Sequence, residues 1–229
     1  RYGDLDIGDR GYGRLIEPLD LKNNIEKTLG KVIVTSGPTL EAIDAVKVIT
    51  NKSSGKQGRA IAIELTSRGY ETIYIHSSQI SPIPGIQNVE FTSSSELLTA
   101  INAHVVGTDY LFMTAAVADF TVEKQSGKIS RDSGNIQLNL IPNIDLIKSI
   151  KQSNKDVVTI AFSAQINDDL NFDKIKKKNC DYLVINNILD NNFGSDFNKI
   201  KIINKKDLVY ESDQKSKSDI AYELIDVLL

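Results

Sequence analysis

The chain has 229 residues, 41% of them hydrophobic, a net charge of −3, one cysteine and two histidines. That apolar content suffices for a core in one large or two small α/β domains and argues against disorder. The acidic balance argues against general nucleic-acid binding, so any bound anion is expected to be small and held locally.

The longest apolar runs, "LFMTAAVA" and "LVIN", fall well short of the roughly 20 residues that cross a bilayer, and no signal-like start precedes them. No membrane association is expected. Cys180 has no internal disulfide partner, and together with the two histidines it offers little to a soft metal. This fits a reducing, cytoplasmic setting. The first residue is Arg1, and we expect a chain trimmed or cut from something longer.

Residues 1–29 open with "RYGDLDIGDRGYGRLIEP", four glycines and no period, the pattern of a tail or linker. "KVIVTSG" (31–37) is then a short β-rich run ending at Gly37 and Pro38, a buried strand meeting a loop. From Gly58 the residues Ile61, Ala62 and Leu65 follow at helical spacing, and Gly69 stands where a C-terminal cap belongs. "ETIYIHSS" predicts a strand, "SSSELLTAINAHV" a helix with serine caps, and "DYLFMTAA" another strand. "IDLIKSI" is helical in pattern, "DVVTIAFSA" a strand, "LNFDKIKKKN" a helix and "DYLVINN" a strand. The pair "KIKII" and "LVY" precedes a closing helix, "KSDIAYELIDVLL". Strands alternating with helices imply an α/β domain with a mainly parallel sheet, covered on both faces.

No G-x-G-x-x-G follows the first strand, where a dinucleotide fold would place it; about seventeen residues of loop separate Gly37 from Gly55 instead. "NKSSGKQG" (51–58) has two readings. Ser54 and Gln57 satisfy a Ser-x-x-Gln capping box, a structural account of a helix start. Unpaired amides around Gly55 and Gly58, with the Ser53 hydroxyl and the Lys56 charge, also suit a phosphate. "MTAAVADF" ends a strand with small residues and Asp119, which suits a ribose hydroxyl, a metal or merely a turn. Lys174 and Lys178 share a helix face with Lys177 beside them, either a solvated face or an anion site. Lys128 lies in a long polar loop, "VEKQSGKISRDSGN", and such loops are mobile or functional. No serine or cysteine triad and no Tyr-x-x-x-Lys is present.

Together these segments resemble phosphopantothenoylcysteine synthetase, the ligase that joins phosphopantothenate to cysteine. The family pattern G-P-T-x-E-x-x-D-x-V-R-x-x-x-N-x-S-S-G-K-x-G is similar to "GPTLEAIDAVKVITNKSSGKQG", and "TAAVADF", "GKIS", "PNIDLI", "AFSAQ", "KIKKKNCDYLVINN" and "FGSDFNKI" continue the likeness over residues 31–229. The resemblance implies a Rossmann-like, mainly parallel sheet with helices on both faces and an added antiparallel strand pair. It implies one synthetase domain over residues 30–229. It points to Asn51 as the catalytic amide and to Lys47 in place of a family arginine. Ser53, Ser54, Gly55 and Lys56 match the substrate and phosphate segment. Met113, Thr114, Ala115, Asp119, Lys128, Ile144, Asp145, Leu146, Ile147, Phe162, Lys174 and Lys178 match nucleotide-binding positions, and Gln165 replaces a common glutamate. The implied co-substrate is CTP, with Mg²⁺ accompanying it. Family members are dimers with sites near the subunit boundary, so a homodimer is expected, with the Lys128 loop closing over a site there.

"DLDIGDRGYGRLIEP" is similar to the end of a flavin-dependent decarboxylase domain often fused ahead of this ligase. Asp6, Ile7 and Gly8 stand where that family carries Ala-Cys-Gly, so decarboxylation by this segment is not expected. Two other readings stay open on the residues alone: an NAD(P)-dependent oxidoreductase and a non-catalytic nucleotide-binding module.

Overall fold

The computed structural model describes residues 2–4, 10–12, 28–167, 169–187 and 194–229. Most of the expected tail, with Asp6 to Gly8, lies outside the described residues; within it Tyr2–Asp4 pairs antiparallel with Arg10–Tyr12.

The main sheet consists of β1 (Lys31–Ser36), β2 (Glu71–Ser77), β3 (Gln87–Phe91), β4 (Tyr110–Met113), β5 (Val158–Gln165), β6 (Tyr182–Asn187), β7 (Ile200–Ile203) and β8 (Leu208–Glu211). The helices are α1 (Lys56–Ser67), α2 (Ser94–His104), α3 (Leu146–Ser153), α4 (Phe172–Lys178) and α5 (Lys217–Leu228). Across the sheet the strands run β3-β2-β1-β4-β5-β6-β7-β8. The first six are parallel, and β7 and β8 are an antiparallel addition at one edge. This is the Rossmann-like arrangement expected, with the added strand pair where "KIKII" and "LVY" predicted it.

Central strands buried on both faces need continuous apolar runs, which is how Val32, Ile33 and Val34 are spaced. Alternation sends Val32 and Val34 to one face, against Ile61 and Leu65 of α1 and Leu224 of α5. Ile33 faces the other side with Leu97 of α2, Ile147 and Ile150 of α3 and Ile175 of α4. Each such fully buried side chain contributes about 1.5–3 kcal/mol relative to exposure. Packing therefore positions α1 more firmly than propensity does.

Of the helix ends signalled in the sequence, the stop at Gly69 and the serine cap before α2 form, and the capping box before α1 does not. Gly69 (φ +95°) follows the last turn of α1, and the Gly69 and Tyr70 amides bond the Thr66 and Leu65 carbonyls, a Schellman stop. Ser93, Asp145, Asn171 and Ser216 cap α2, α3, α4 and α5 through side-chain oxygens. The capping box at Ser54 and Gln57 does not form. Gly55 is the residue before α1, left-handed at φ +66°, and no side chain caps it. Gln57 instead donates to the Lys217 carbonyl and accepts from Asn198.

Two further elements interrupt expected loops. Leu40–Ala42 and Val48–Thr50 form a hairpin inside the stretch between Gly37 and Gly55. The edge strand β3 pairs parallel with β2 in a stretch where the sequence pattern marks no strand.

Candidate functional site

The chain leaves β1 toward β2 and β3, then crosses back to β4, so the strand order reverses between β1 and β4. Crevices outside the carboxyl ends of strands at such a reversal are where open α/β sheets bind ligands. A cavity of about 440 Å³ lies there, lined by the loops after β1 and β4, the ends of β5 and β6, residues 194–198, α4 and the starts of α1, α3 and α5.

Of the residues singled out in the sequence, Asn51, Ser53, Ser54, Gly55, Lys56, Met113, Thr114, Ala115, Asp119, Ile144, Asp145, Leu146, Ile147, Phe162, Lys174 and Lys178 all line this cavity. Lys47, Lys128 and Gln165 do not. The cavity also takes Lys52, Asn143, Ser163, Asn198 and Lys217, which carried no predicted role, and Gln57, predicted only as part of a helix cap. Five lysines (52, 56, 174, 178, 217) face two aspartates (119, 145) in the lining. A cationic pocket in a chain of net charge −3 concentrates anions locally.

The start of α1 is held very close to the sheet. The Ser36 hydroxyl donates to the Gly55 carbonyl at 2.8 Å. A Cβ on Gly58 would collide with Thr114 Oγ1 and stand 2.8 Å from Ser36 Oγ, so a larger residue enters only if these neighbours move. The glycine at 58 thus lets the uncapped amide end of α1 reach the strand ends, and that end carries no acidic residue in its first turn. Free amides and a positive dipole end together favour an anion.

Asn51 is pinned at the cavity rim, its Nδ2 donating to the Val117 carbonyl at 2.9 Å, with the Ala116 carbonyl at 3.5 Å. The second contact is at the limit of a hydrogen bond, which leaves an N–H for a ligand oxygen. The backbone after β4 is fixed by Thr35, whose hydroxyl accepts from the Ala115 amide, and by Thr114, which donates to the Thr35 carbonyl. Asn143 braces the same segment one residue further on: its Nδ2 donates to Ser94 Oγ and to the Ala118 carbonyl.

Lys174 reaches from α4 to donate to Ser163 Oγ at 2.7 Å. Burial, and then the neighbouring Lys178, lower its pKa, while Asp119 opposes them. Lys178 lies 3.8 Å from the Asp145 carboxylate. On the other face of the sheet, Lys56 pairs with Asp196 at 2.6 Å and donates to the Gly194 carbonyl.

Lys47 has a different setting. With Asp44 it clamps the polar loop: Asp44 Oδ2 accepts from the Ile129 amide at 2.9 Å, and Lys47 Nζ donates to the Ile129 carbonyl at 3.1 Å and to Asp44 Oδ2 at 2.7 Å. The Val46 and Lys47 amides complete four donors to this buried carboxylate. Those bonds, led by the Lys47 ammonium, hold Asp44 well below the usual carboxylate range. The residue that this clamp fixes is next to Lys128. Gln165 lies at the end of β5, and its Nε2 is buried without a hydrogen-bond partner among the described residues.

The carboxylates in the lining are Asp119 and Asp145, beside neutral oxygens of asparagine, serine and threonine side chains. Among the described residues no group of three or more His, Cys, Asp or Glu is placed to hold a metal. A hard ion that arrives on phosphate oxygens and keeps its waters fits such a site, since it needs few protein ligands.

The profile of the DNA/pantothenate metabolism flavoprotein C-terminal domain matches residues 28–229. The coenzyme A biosynthesis bifunctional protein CoaBC of Bacillus subtilis (strain 168) is 31% identical over 240 residues, covering 97% of this chain and 59% of its own length. A protein named Cysteine/Cysteine sulfinic acid decarboxylase, from an unknown prokaryotic organism, is 31% identical over 247 residues, 99% of this chain and 69% of its own length. The crystal structure of the C-terminal domain of CoaBC superposes with a TM-score of 0.71 at 26% identity, covering 87% of this chain and 96% of that one. The chain spans between half and about two-thirds of the length of such curated relatives. It belongs to the family of the DNA/pantothenate metabolism flavoprotein C-terminal domain.

Proposed function

We propose that this domain is a nucleotide-dependent ligase that joins 4'-phosphopantothenate to cysteine, using CTP, in coenzyme A synthesis. One observation carries the reading. Residues from Asn51 to Lys178, scattered along the chain, converge on one cationic cavity at the strand-order reversal. The relationship to the bifunctional CoaBC proteins supports the same reading.

In this mechanism the substrate carboxylate attacks the α-phosphate of CTP, forming an acyl-cytidylate and releasing pyrophosphate. The cysteine amine then attacks the acyl carbon, and CMP leaves with the former carboxylate oxygen. Neither step requires a covalent enzyme nucleophile, in keeping with catalysis by positioning and charge stabilisation. Asn51 offers its second N–H to the oxygen of the acyl group as negative charge develops there. Loss of one such donor typically costs about 2.7–4 kcal/mol of the barrier. The amides from Ser53 to Lys56 hold phosphate. The backbone from Met113 to Ala115 contacts the base, and Lys174 and Lys178 neutralise the triphosphate. Mg²⁺, bound mainly through phosphate oxygens with Asp119 as the available carboxylate, would supply further charge neutralisation.

A homodimer is part of the proposal. Ile136, Leu138, Leu140 and Ile141 expose apolar surface on the loop that also bears Lys128, and an apolar stretch of this kind marks an interface. A partner copy there would bring the Lys128 loop to a site at the boundary. The relatives' length supports a decarboxylase domain fused in the parent protein, and the setting proposed is the cytoplasm.

The test supplies phosphopantothenate, cysteine, Mg²⁺ and either CTP or ATP, and follows pyrophosphate release. Pyrophosphate release with CTP, with amide and CMP formed only when cysteine is present, supports the ligase. Release with neither nucleotide refutes it and leaves a binding module; an absorbance change with NAD(P)H instead points to an oxidoreductase.

A further inference from the structure

We propose that Lys56 and Lys217 form a shared anion seat that takes a phosphate group of the ligand in this cavity, and that the Asp196 carboxylate is the internal anion it displaces. The proposal rests on the ligase reading only for the identity of that ligand.

Both ammonium groups hold one strip of backbone. Lys56 Nζ contacts the Gly194 carbonyl at 2.9 Å and Asp196 Oδ1 at 2.6 Å. Lys217 Nζ donates to the Ser195 carbonyl, and its own amide bonds the Asp196 carbonyl at 2.9 Å. Among the described residues no carboxylate makes an ion pair with Lys217, so two ammonium groups share one acid. The surplus positive charge is half-buried and lines the cavity. Burial, followed by the charge of Lys56, pushes the Lys217 ammonium below the ordinary lysine value. A second negative charge beside it favours the ammonium and so opposes both effects.

Asp196 is a weak occupant. Its side chain is 78% exposed, and exposed ion pairs contribute little. A phosphate offers several oxygens and more charge than a carboxylate, so one group satisfies both lysines where Asp196 satisfies one. The placement is also complementary to the predicted pair. Lys56 and Lys217 start α1 and α5, which pack on one face of the sheet, whereas Lys178 and Lys174 belong to α4 on the other. The sheet edge is thus framed by two cationic pairs, suited to a phosphate chain or to two separate phosphate groups.

The test measures binding calorimetrically at fixed ionic strength for the unaltered chain, Lys217→Gln and Asp196→Asn. The probes are inorganic tripolyphosphate, CTP and 4'-phosphopantothenate, each alone. Lys217→Gln is expected to weaken tripolyphosphate, and one or both of the substrates, by about tenfold or more, the effect of a lost hydrogen bond to a charged group. Asp196→Asn is expected to tighten the same probes, because the competing carboxylate is gone. Whichever substrate responds identifies the source of the phosphate. Affinities within twofold of the unaltered chain for all three probes in Lys217→Gln overturn the seat, as does the absence of any tripolyphosphate binding. Should Lys217→Gln fail to fold, Asp196→Asn decides: unchanged or weaker binding overturns the proposal. Lysine-dependent tripolyphosphate binding without pyrophosphate release refutes the ligase and leaves the seat standing. Pyrophosphate release with binding indifferent to Lys217 refutes the seat alone.

Discussion

Gly58→Ala is the substitution whose sign separates site geometry from helix propensity. In an open helix position, replacing glycine by alanine stabilises by about 0.5–1 kcal/mol. Here the added methyl would collide with Thr114 Oγ1 and stand 2.8 Å from Ser36 Oγ and 2.9 Å from Ser36 Cβ. Ordinary contact begins near 3.4 Å, so either α1 retreats by roughly an ångström or Thr114 gives up its bond to the Thr35 carbonyl. Overpacking of this kind costs about 1–3 kcal/mol, and the lost hydrogen bond adds about 1 kcal/mol. A net destabilisation of about 1–3 kcal/mol is expected from urea unfolding at unchanged slope. A displacement near 1 Å at the amide end of α1 is also expected to lower kcat/KM about a hundredfold. The double variant Gly58→Ala/Thr114→Ala should recover at least about 0.5 kcal/mol relative to additivity, as coupled neighbours do. A Gly58→Ala chain as stable as the parent, with full activity, would refute the close approach of α1 to the strand ends.

Three other outcomes follow from individual residues. Lys174→Met should weaken nucleotide binding about tenfold or more while shifting Tm by only a few degrees; in the parent, burial and Lys178 lower the Lys174 pKa, so affinity should fall on the alkaline side at lower pH than in Lys174→Arg. Equal losses of binding and folding would return Lys174 to a structural role. Asp44→Asn removes the charge that gathers the Ile129 and Lys47 donors, and trypsin should then cut at Lys124 and Lys128 markedly faster in the native state; unchanged cleavage rates count against the clamp. Cys180 is buried, and burial pushes its thiol up to about 11. Its folded pKa exceeds its unfolded one, so its contribution is complete below the unfolded pKa and lost as pH rises through the folded value. Stability should therefore decline between about pH 9 and 11 by up to about 1.4 kcal/mol per unit, and Cys180→Val should flatten that decline in urea midpoints; an identical slope in the variant would contradict the assignment.

The central strands were legible because a sheet covered on both faces demands uninterrupted apolar runs, as in "VIV" of β1 and "YLVI" of β6. β3 was not, since "QNVEF" sits at an edge, where only Phe91 is buried and polar residues are tolerated. The hairpin at Leu40–Ala42 and Val48–Thr50 is held largely by backbone pairing and by contacts such as the Leu40 amide to the Thr92 carbonyl, which leave no periodic trace. Ser54 and Gln57 had the composition of a capping box, but the left-handed turn at Gly55 moved the helix start by one residue and released Gln57 to Lys217 and Asn198. Motif residues of the cavity were visible because they lie in short ordered segments. Asp196 and Lys217 were not: Asp196 meets Lys56 across 140 positions, a pairing made only by the tertiary fold. Lys47 matches a site position by motif, and in the structure its ammonium holds the Asp44 carboxylate and the Ile129 carbonyl.

A crystal of this chain soaked with CTP or 4'-phosphopantothenate measures the proposed arrangement most directly. Ligand phosphate should bond the backbone amides between Ser53 and Lys56, with the Asn51 amide beside the reacting carboxyl. A ligand bound elsewhere, with this cavity left vacant, would contradict the account.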